Sequence, residues 1–137
     1  MTTLPLVAPL AAVRARPVWR DTLSALIVLS KPQLAFMSVL TAMVAYGTAR
    51  PGGGLLAAAA TLIGTAGAAA GALSLNQWWE RQADAQMRRT CGRPLPQARL
   101  TPTVALVWSL TLSLVGVGWL AAVVTVSAAI VAALTIV

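Results

Sequence analysis

Apolar residues fill three long stretches of the chain, at 32–49, 55–75 and 103–137, and two polar breaks separate them. The first break, 50–54, contains an Arg-Pro pair and three glycines, a composition that a helix does not cross. The second break, 76–99, is rich in arginine and holds two of the three carboxylates of the chain. The pattern predicts an all-α protein whose apolar stretches form a bundle of transmembrane helices.

The stretch 32–49 is long enough for one span, because its 18 residues rise about 27 Å as a helix at ~1.5 Å per residue. Pro32 disfavours helical geometry at the residue before it, so 22–30 is expected to form a short interfacial helix or turn. Residues 1–21 carry three arginines after a short run of small apolar residues. Since a signal peptide carries its charges before its apolar run, we interpret 1–21 as a cytoplasmic tail.

The stretch 55–75 is dominated by small residues. Gly64, Gly67 and Gly71 recur at helical spacing with alanines between them, which gives a surface that a neighbouring helix can approach closely. No breaker separates this stretch from the polar residues that follow it. The helix is therefore predicted to continue past the hydrocarbon to a turn or end at 89–93, just before the next proline.

The stretch 103–137 has 35 residues without a charge, which is about 52 Å as one helix and too long for a hydrocarbon core of ~30 Å. Two helices are therefore expected, with a turn at 124–127, where Thr125 or Ser127 can cap the second helix. The glycines at 116 and 118 offer a less favoured turn. The helix after the turn has only about ten residues, so three full spans and a partial fourth are predicted.

Composition supports an integral membrane protein. Of the 137 residues, 58% are hydrophobic and 9% charged, and the mean hydropathy is +0.81. A net charge of +7 would suggest a nucleic-acid partner in a soluble chain. Here the bases flank apolar stretches, so membrane topology explains them and no nucleic-acid partner is expected. Histidine is absent and Cys91 is the single cysteine, which excludes an internal disulfide and a Cys/His metal site.

The basic residues alternate between the two ends of the spans. Three arginines precede the first span, one lies between the first and second, five lie between the second and third, and none follows. The positive-inside rule then predicts that the N-terminus and the loop 76–99 are cytoplasmic, with a bacterial inner membrane as the expected location. Lys31 lies at the same end of the first span and is expected to face the loop.

The candidate chemistry lies in the segment 75–96, which we call the polar segment. Asn76, Glu80 and Asp84 recur every four residues and Arg88 continues the row, so a helix would carry them along one face. One amide and two carboxylates are oxygen ligands suited to Mg²⁺, which binds one or two carboxylates together with phosphate oxygens. We call Asn76, Glu80 and Asp84 the acidic row.

Basic residues accompany the acidic row and can bind phosphate, arginine through a bidentate fork. They are Lys31, Arg88, Arg89 and Arg93. Acids and bases interleaved at a membrane surface favour a phosphorylated ligand whose apolar tail lies in the bilayer, with Mg²⁺ stabilising a leaving diphosphate. The alternative is a solvated loop in which Glu80 and Asp84 pair locally with Arg81 or Arg88.

Lys31 and the tryptophans also have two interpretations. Lys31 is either an anchor that snorkels to the interface or a ligand group. Trp78 and Trp79 are typical of interface aromatics at the end of a span, and stacking on a substrate is the alternative.

The polar segment resembles a known family motif. Asn-Gln-Trp-Trp-Glu at 76–80, followed by Asp84, Met87, Arg89-Thr90 and Arg-Pro-Leu-Pro at 93–96, resembles the first aspartate-rich motif of the UbiA superfamily of intramembrane aromatic prenyltransferases, in particular its protoheme IX farnesyltransferases. Ser-Lys-Pro at 30–32 extends the resemblance over 22–137. Glu80 stands where most members have Asp, although mitochondrial-type heme farnesyltransferases also have Glu there.

The resemblance implies a UbiA-like helix bundle and a set of site residues. Asn76, Glu80 and Asp84 would hold Mg²⁺ and the diphosphate of farnesyl diphosphate, while Arg88, Arg89 and Arg93 lie in a polar cap over the site. The implied reaction transfers the farnesyl group to the 2-vinyl group of heme b and gives heme O and diphosphate. Another aromatic acceptor, such as a quinone precursor, stays open, as does a non-catalytic membrane protein whose polar loop only sets topology.

Length sets this chain apart from the family it resembles. Members have about nine spans and a second aspartate-rich motif, whereas the acids here outside the acidic row are limited to Asp21. We therefore interpret 22–137 as a partial prenyltransferase domain that stops before the second motif, and expect this portion alone to be incomplete and inactive.

Overall fold

The computed structural model describes residues 18–49, 52 and 54–136. Most of the predicted tail and of the glycine-rich break lies outside the described residues. Within them the chain forms six α-helices and one π-helical turn, and no strand: α1 Val18–Leu29, α2 Pro32–Ala49, α3 Leu55–Trp79, α4 Arg81–Gln86, α5 Pro102–Trp119, the π turn Leu120–Val124, and α6 Val126–Leu134. The predicted all-α architecture is confirmed.

The membrane-spanning helices follow from length and apolar composition. Leu55–Trp79 and the continuous helix Pro102–Val124 are each long and apolar enough to cross a membrane. Helices α1 and α2 are bent by 44° relative to each other and together can form a third span. The short helix expected at 22–30 is therefore α1, which begins four residues earlier, inside the predicted tail. Large apolar side chains cover the outward faces of these helices, as expected in lipid.

Helices α3 and α5 pack backbone against backbone. A Cβ atom added to Gly116 of α5 would lie 2.7 Å from the carbonyl carbon of Gly67 and 2.9 Å from the Cα of Ala68. A Cβ added to Gly71 would lie 2.5 Å from the backbone nitrogen of Ser113. The prediction of a close-packing glycine face is confirmed for α3, and its partner is α5.

The turn between the last two helices lies where the sequence predicts it. Thr125 is extended (φ −160°, ψ 150°), and its side chain accepts a hydrogen bond from the backbone nitrogen of Ala128 at 3.3 Å. This is an N-cap, because it satisfies one of the free N–H groups at the start of α6. The alternative turn at Gly116 and Gly118 is wrong, since both residues are helical within α5.

The prediction of one helix running from 55 through the acidic row is wrong. Helix α3 ends at Trp79, Glu80 forms a bend (φ −79°, ψ 0°), and α4 then runs only to Gln86. Backbone hydrogen bonds of 2.9 Å still join Glu80 to Asn76 and Asp84 to Glu80. The row therefore keeps its helical spacing as far as Asp84, although the helix is interrupted at Glu80.

The helix also ends earlier than predicted, at Met87, which is extended (φ −97°, ψ 127°). The hydroxyl of Thr90 donates a 3.0 Å hydrogen bond to the carbonyl of Asp84, and the backbone nitrogen of Cys91 bonds to Met87 at 2.9 Å. These local bonds replace helical ones, so the chain turns back over α4. Arg88 consequently leaves the face on which the sequence had placed it.

The loop after α4 is fastened to the bundle by a small core. Leu100 packs with Ala25 and Leu29 of α1 and Ala105 of α5, and partly buried neighbours surround the four. Those neighbours are Leu26, Trp78, Leu95 and Trp108. Pro94 is fully buried. The loop is thus a packed cap on one end of the bundle.

Candidate functional site

Asp84 forms the centre of the candidate site. It is buried, with its side chain 6% exposed, and it accepts a short, charge-assisted hydrogen bond from the guanidinium of Arg93. The same guanidinium lies 4.0 Å from the carboxylate of Glu80, which is about half exposed. Asp84 is buried and Glu80 is not. The closer ion pair, between Arg93 and Asp84, therefore compensates a charge that would otherwise be unpaired in the interior.

Lys31 lies near the same cluster. It stands between α1 and α2 with a positive φ of 44°, and it is partly buried. Leu29, two residues before it, accepts a hydrogen bond from Gln77, which is three residues before Glu80. The structure thus pairs Glu80 and Asp84 with Arg93 and places Lys31 at the same end of the bundle, although among the described residues the ion pairs of the two acids are with Arg93.

Arg88 and Arg89 are not part of this cluster. Both are exposed in the turn after α4, and among the described residues the ion pairs to Glu80 and Asp84 come from Arg93. Their predicted contribution to a polar cap is compatible with this position, but no contact with the acids supports it.

Among the described residues, Glu80 and Asp84 do not form ion pairs with Arg81 or Arg88, as they would in an ordinary solvated loop. Arg81 lies over the ring of Trp78, 4.6 Å from its centroid, and donates a 2.8 Å hydrogen bond to the carbonyl of the same residue. The acids pair instead with Arg93, which is nine residues beyond Asp84. A loop-closing pair of this kind builds a defined site, whereas i,i+4 pairs on a helix surface do not.

The two tryptophans differ in environment. Trp79 is 78% exposed at the end of α3, as expected of an interface aromatic. Trp78 is partly buried against the small core under the cap. Neither ring lies in the cluster of charges, so the structure favours the interface and packing interpretation over substrate stacking.

The donor atoms of the acidic row suit a hard divalent cation. Among the described residues no three His, Cys, Asp or Glu side chains group as a metal site, so the carboxylates of Glu80 and Asp84 need the amide oxygen of Asn76 or oxygens of a ligand. Asn76 is exposed one helical turn before Glu80. Two carboxylates plus phosphate oxygens are the usual ligand set of Mg²⁺. The Arg93 guanidinium paired with Asp84 shows that this carboxylate binds a positively charged group.

Sequence reasoning missed a set of buried polar side chains at the base of the site. Gln77 is 3% exposed and donates a 2.6 Å hydrogen bond to the backbone carbonyl of Leu29. Ser30 accepts from the indole nitrogen of Trp108 at 3.1 Å, and Ser74 donates to the carbonyl of Ala70 at 2.7 Å. The available signal was the amide of Gln77 directly after Asn76, about 100° further round the same helical turn.

Comparisons with known proteins agree with the fold and the motif. The UbiA prenyltransferase family matches residues 35–137. A protoheme IX farnesyltransferase of Opitutus terrae is 43% identical over 79 residues, which cover 58% of this chain and 27% of that protein. One of Pyrobaculum neutrophilum is 43% identical over 96 residues, covering 66% and 33%. One of Novosphingobium aromaticivorans is 38% identical over 117 residues, covering 77% and 36%.

Each of these matches covers only part of the relative. The chain spans about a third of the length of the curated relatives it matches. No solved structure matches the chain. The family match covers most of the chain, including the acidic row, the capping loop and the packed helices α3 and α5. This integral membrane protein, with its all-α bundle, belongs to the UbiA prenyltransferase family.

Proposed function

We propose that this chain provides a diphosphate-binding segment of a heme farnesyltransferase, which transfers the farnesyl group of farnesyl diphosphate to heme b. The observation that carries the proposal is the cluster of Glu80, Asp84 and Arg93, with Lys31 near it at the same end of the bundle. The names of the relatives, all protoheme IX farnesyltransferases, support the donor and the acceptor.

Charge balance explains how the cluster would accept its ligand. The two carboxylates and two bases neutralise one another, so the cluster is close to neutral. A magnesium diphosphate supplies cations for Glu80 and Asp84 and anionic oxygens for Arg93 and Lys31. Arg93 would exchange Asp84 for the diphosphate, and each charge would keep a partner, which a partly buried site requires.

The acidic row has the chemistry to hold Mg²⁺ through Asn76, Glu80 and Asp84. When bound, Mg²⁺ neutralises the negative charge that develops on the leaving diphosphate. Lys31 and Arg93 would bind the same oxygens as they gain charge, and Arg88 and Arg89 would add positive potential above them. The bond between farnesyl C1 and oxygen would break, and its electron pair would leave with the diphosphate. The vinyl group would supply the electrons of the new C–C bond, and water would then add to the resulting cation and lose a proton.

An apolar cavity lies among the helices of the bundle. Its volume is about 720 Å³, within the usual range for small-molecule sites, and residues of α2, α3, the π turn and α6 line it. Ala72 and Leu73 line this cavity one helical turn before Asn76. A ligand with its head on the acidic row and its isoprenoid tail along this face of α3 fits that arrangement.

The proposed membrane topology is compatible with this function. The basic loop that contains the cluster would be cytoplasmic and the membrane that of a bacterial cell, so that a water-soluble head group reaches the site from the cytoplasm. Heme b would approach from the bilayer.

The test is Mg²⁺-dependent conversion of heme b to heme O by the full-length protein that contains this chain. Replacing Asp84 by Asn keeps the shape and removes the charge, and we expect activity to fall on the order of 100-fold or more. Asp21→Asn is the matched control, because Asp21 is the remaining acid of the chain and lies in the first turn of α1. Equal activity of the two variants would contradict the role given to Asp84. Transfer to a quinone precursor instead of heme b would contradict the acceptor.

A further inference from the structure

The junction between α1 and α2 leaves a backbone carbonyl without a helical partner. In a continuous helix, the carbonyl of Leu29 would accept a hydrogen bond from the backbone nitrogen of Gln33. The chain breaks there instead. Lys31 closes α1 by donating to Val28 at 3.2 Å, and its own carbonyl starts α2 by accepting from Leu34 at 3.0 Å. Lys31 thus closes the turn that follows α1 and precedes the first residue of α2.

Gln77 supplies the missing donor. Its side-chain amide, buried on α3, donates to the carbonyl of Leu29 at 2.6 Å. In a low-dielectric interior an unpaired carbonyl is costly, so this bond holds the end of α1 in place. The same residue directly follows Asn76, which belongs to the acidic row. One turn of α3 therefore carries a candidate metal ligand on one side and the anchor of the junction on the other.

Ser30 gives the junction a second attachment. Its hydroxyl accepts from the indole nitrogen of Trp108 on α5 at 3.1 Å and donates to the carbonyl of Leu26 at 3.0 Å. The two residues before Lys31, Leu29 and Ser30, are thus bonded to α3 and α5. Those two helices are in turn locked together by their backbone contact.

We infer that Gln77, with Trp108 and Ser30 in support, is a positioning residue that fixes Lys31 at the diphosphate-binding cluster. The left-handed backbone of Lys31 (φ 44°) is disfavoured for a residue with a Cβ. That conformation persists only where the surroundings enforce it, and the hydrogen bonds to Leu29 and Ser30 hold the two residues that precede Lys31. The inference rests on the proposed function, because it gives Gln77 a role through the ligand that Lys31 would bind.

The experiment measures binding of the unreactive S-thiolo analogue of farnesyl diphosphate, with Mg²⁺, to the full-length protein in detergent. Lys31→Met is expected to weaken binding about 10-fold, the value of one charge-assisted hydrogen bond. Gln77→Met keeps the length of the side chain without the donor and should weaken binding by a similar factor. In the double variant the loss should be no greater than that of Lys31→Met alone, since Gln77 acts through Lys31.

Two tryptophans of α5 give a matched control. Trp108→Phe removes the donor to Ser30, whereas Trp119→Phe removes an equal 3.1 Å indole bond to the carbonyl of Ala60, away from the junction. We expect weaker binding for Trp108→Phe and unchanged binding for Trp119→Phe, with both variants folded by circular dichroism.

The outcomes separate the two proposals. Failure of the wild-type protein to bind the analogue overturns the proposed function. If the wild-type protein binds and Lys31→Met weakens binding, but Gln77→Met has no effect or the two losses multiply in the double variant, the positioning role is overturned. Should Gln77→Met fail to fold, Trp108→Phe against Trp119→Phe decides: equal affinities for these two variants overturn the inference.

Discussion

Replacing Gly116 by Ala should separate the two central helices. The added Cβ would lie 2.7 Å from the carbonyl carbon of Gly67 and 2.9 Å from the Cα of Ala68. Both contacts are with backbone, so no side chain can rotate away. Since carbon atoms pack at ~3.5–4.0 Å, helices α3 and α5 must move apart by about 1 Å along their contact.

Gly118 provides the comparison, because it lies two residues later on the same helix and a Cβ there meets nothing within 4 Å. Overpacking of a rigid contact costs about 1–3 kcal/mol, whereas Gly to Ala in an open helical position gains up to ~1 kcal/mol of helix propensity. The gain in helix propensity applies to both positions, so we expect Gly118→Ala to be neutral or stabilising and Gly116→Ala to be less stable than it by about 1–3 kcal/mol.

The measurement is unfolding of each full-length variant in detergent micelles by increasing SDS, followed by tryptophan fluorescence. Gly116→Ala should unfold at a lower SDS fraction than the wild-type protein, and Gly118→Ala at the same or a higher one. Equal midpoints for the two variants would refute the reasoning, because the contact at Gly116 would then not hold the helices. A loss in both would instead assign the effect to glycine itself and not to its place in the interface.

Two further predictions concern the cap. Arg93→Gln leaves the buried carboxylate of Asp84 without its partner and should lower stability by about 3 kcal/mol; adding Asp84→Asn should restore most of the thermal stability, and simple addition of the two losses would contradict the pairing. Cys91 is exposed on the cap and is the single cysteine of the chain. In the chain as given, a membrane-impermeant maleimide should therefore label Cys91 in inside-out vesicles but not in intact cells, and labelling in intact cells would reverse the proposed orientation.

The sequence was a good guide to features that depend on local composition. Span positions followed from apolar length, because a hydrocarbon layer has a fixed thickness. The close-packing face of α3 followed from glycines at helical spacing, and the cap at Thr125 from a hydroxyl residue that interrupts an apolar run. Each of these properties belongs to one element and can be recognised without knowledge of the others.

The features that failed depend on contacts between distant residues. The helix is interrupted at Glu80 without a proline or a glycine nearby, so no local signal marks the interruption. The turn that removes Arg88 from the acidic row comes from Thr90, and the partner of Asp84 is nine residues away. The bond between Gln77 and Leu29 joins residues 48 positions apart, and periodicity within one helix contains no information about it.

The interruption of the helix at Glu80 also means that the acidic row connects the membrane helix to the cap. Asn76 lies in the last turn of the membrane helix α3 and Asp84 lies on the short helix α4 of the cap, so the angle between the two helices at Glu80 sets the spacing between the first and last members of the row. A ligand that bridges both residues would hold that angle. Any contact between α3 and α4 that favours the same angle would raise the affinity of such a ligand, and by thermodynamic reciprocity the bound ligand would strengthen that contact by the same factor.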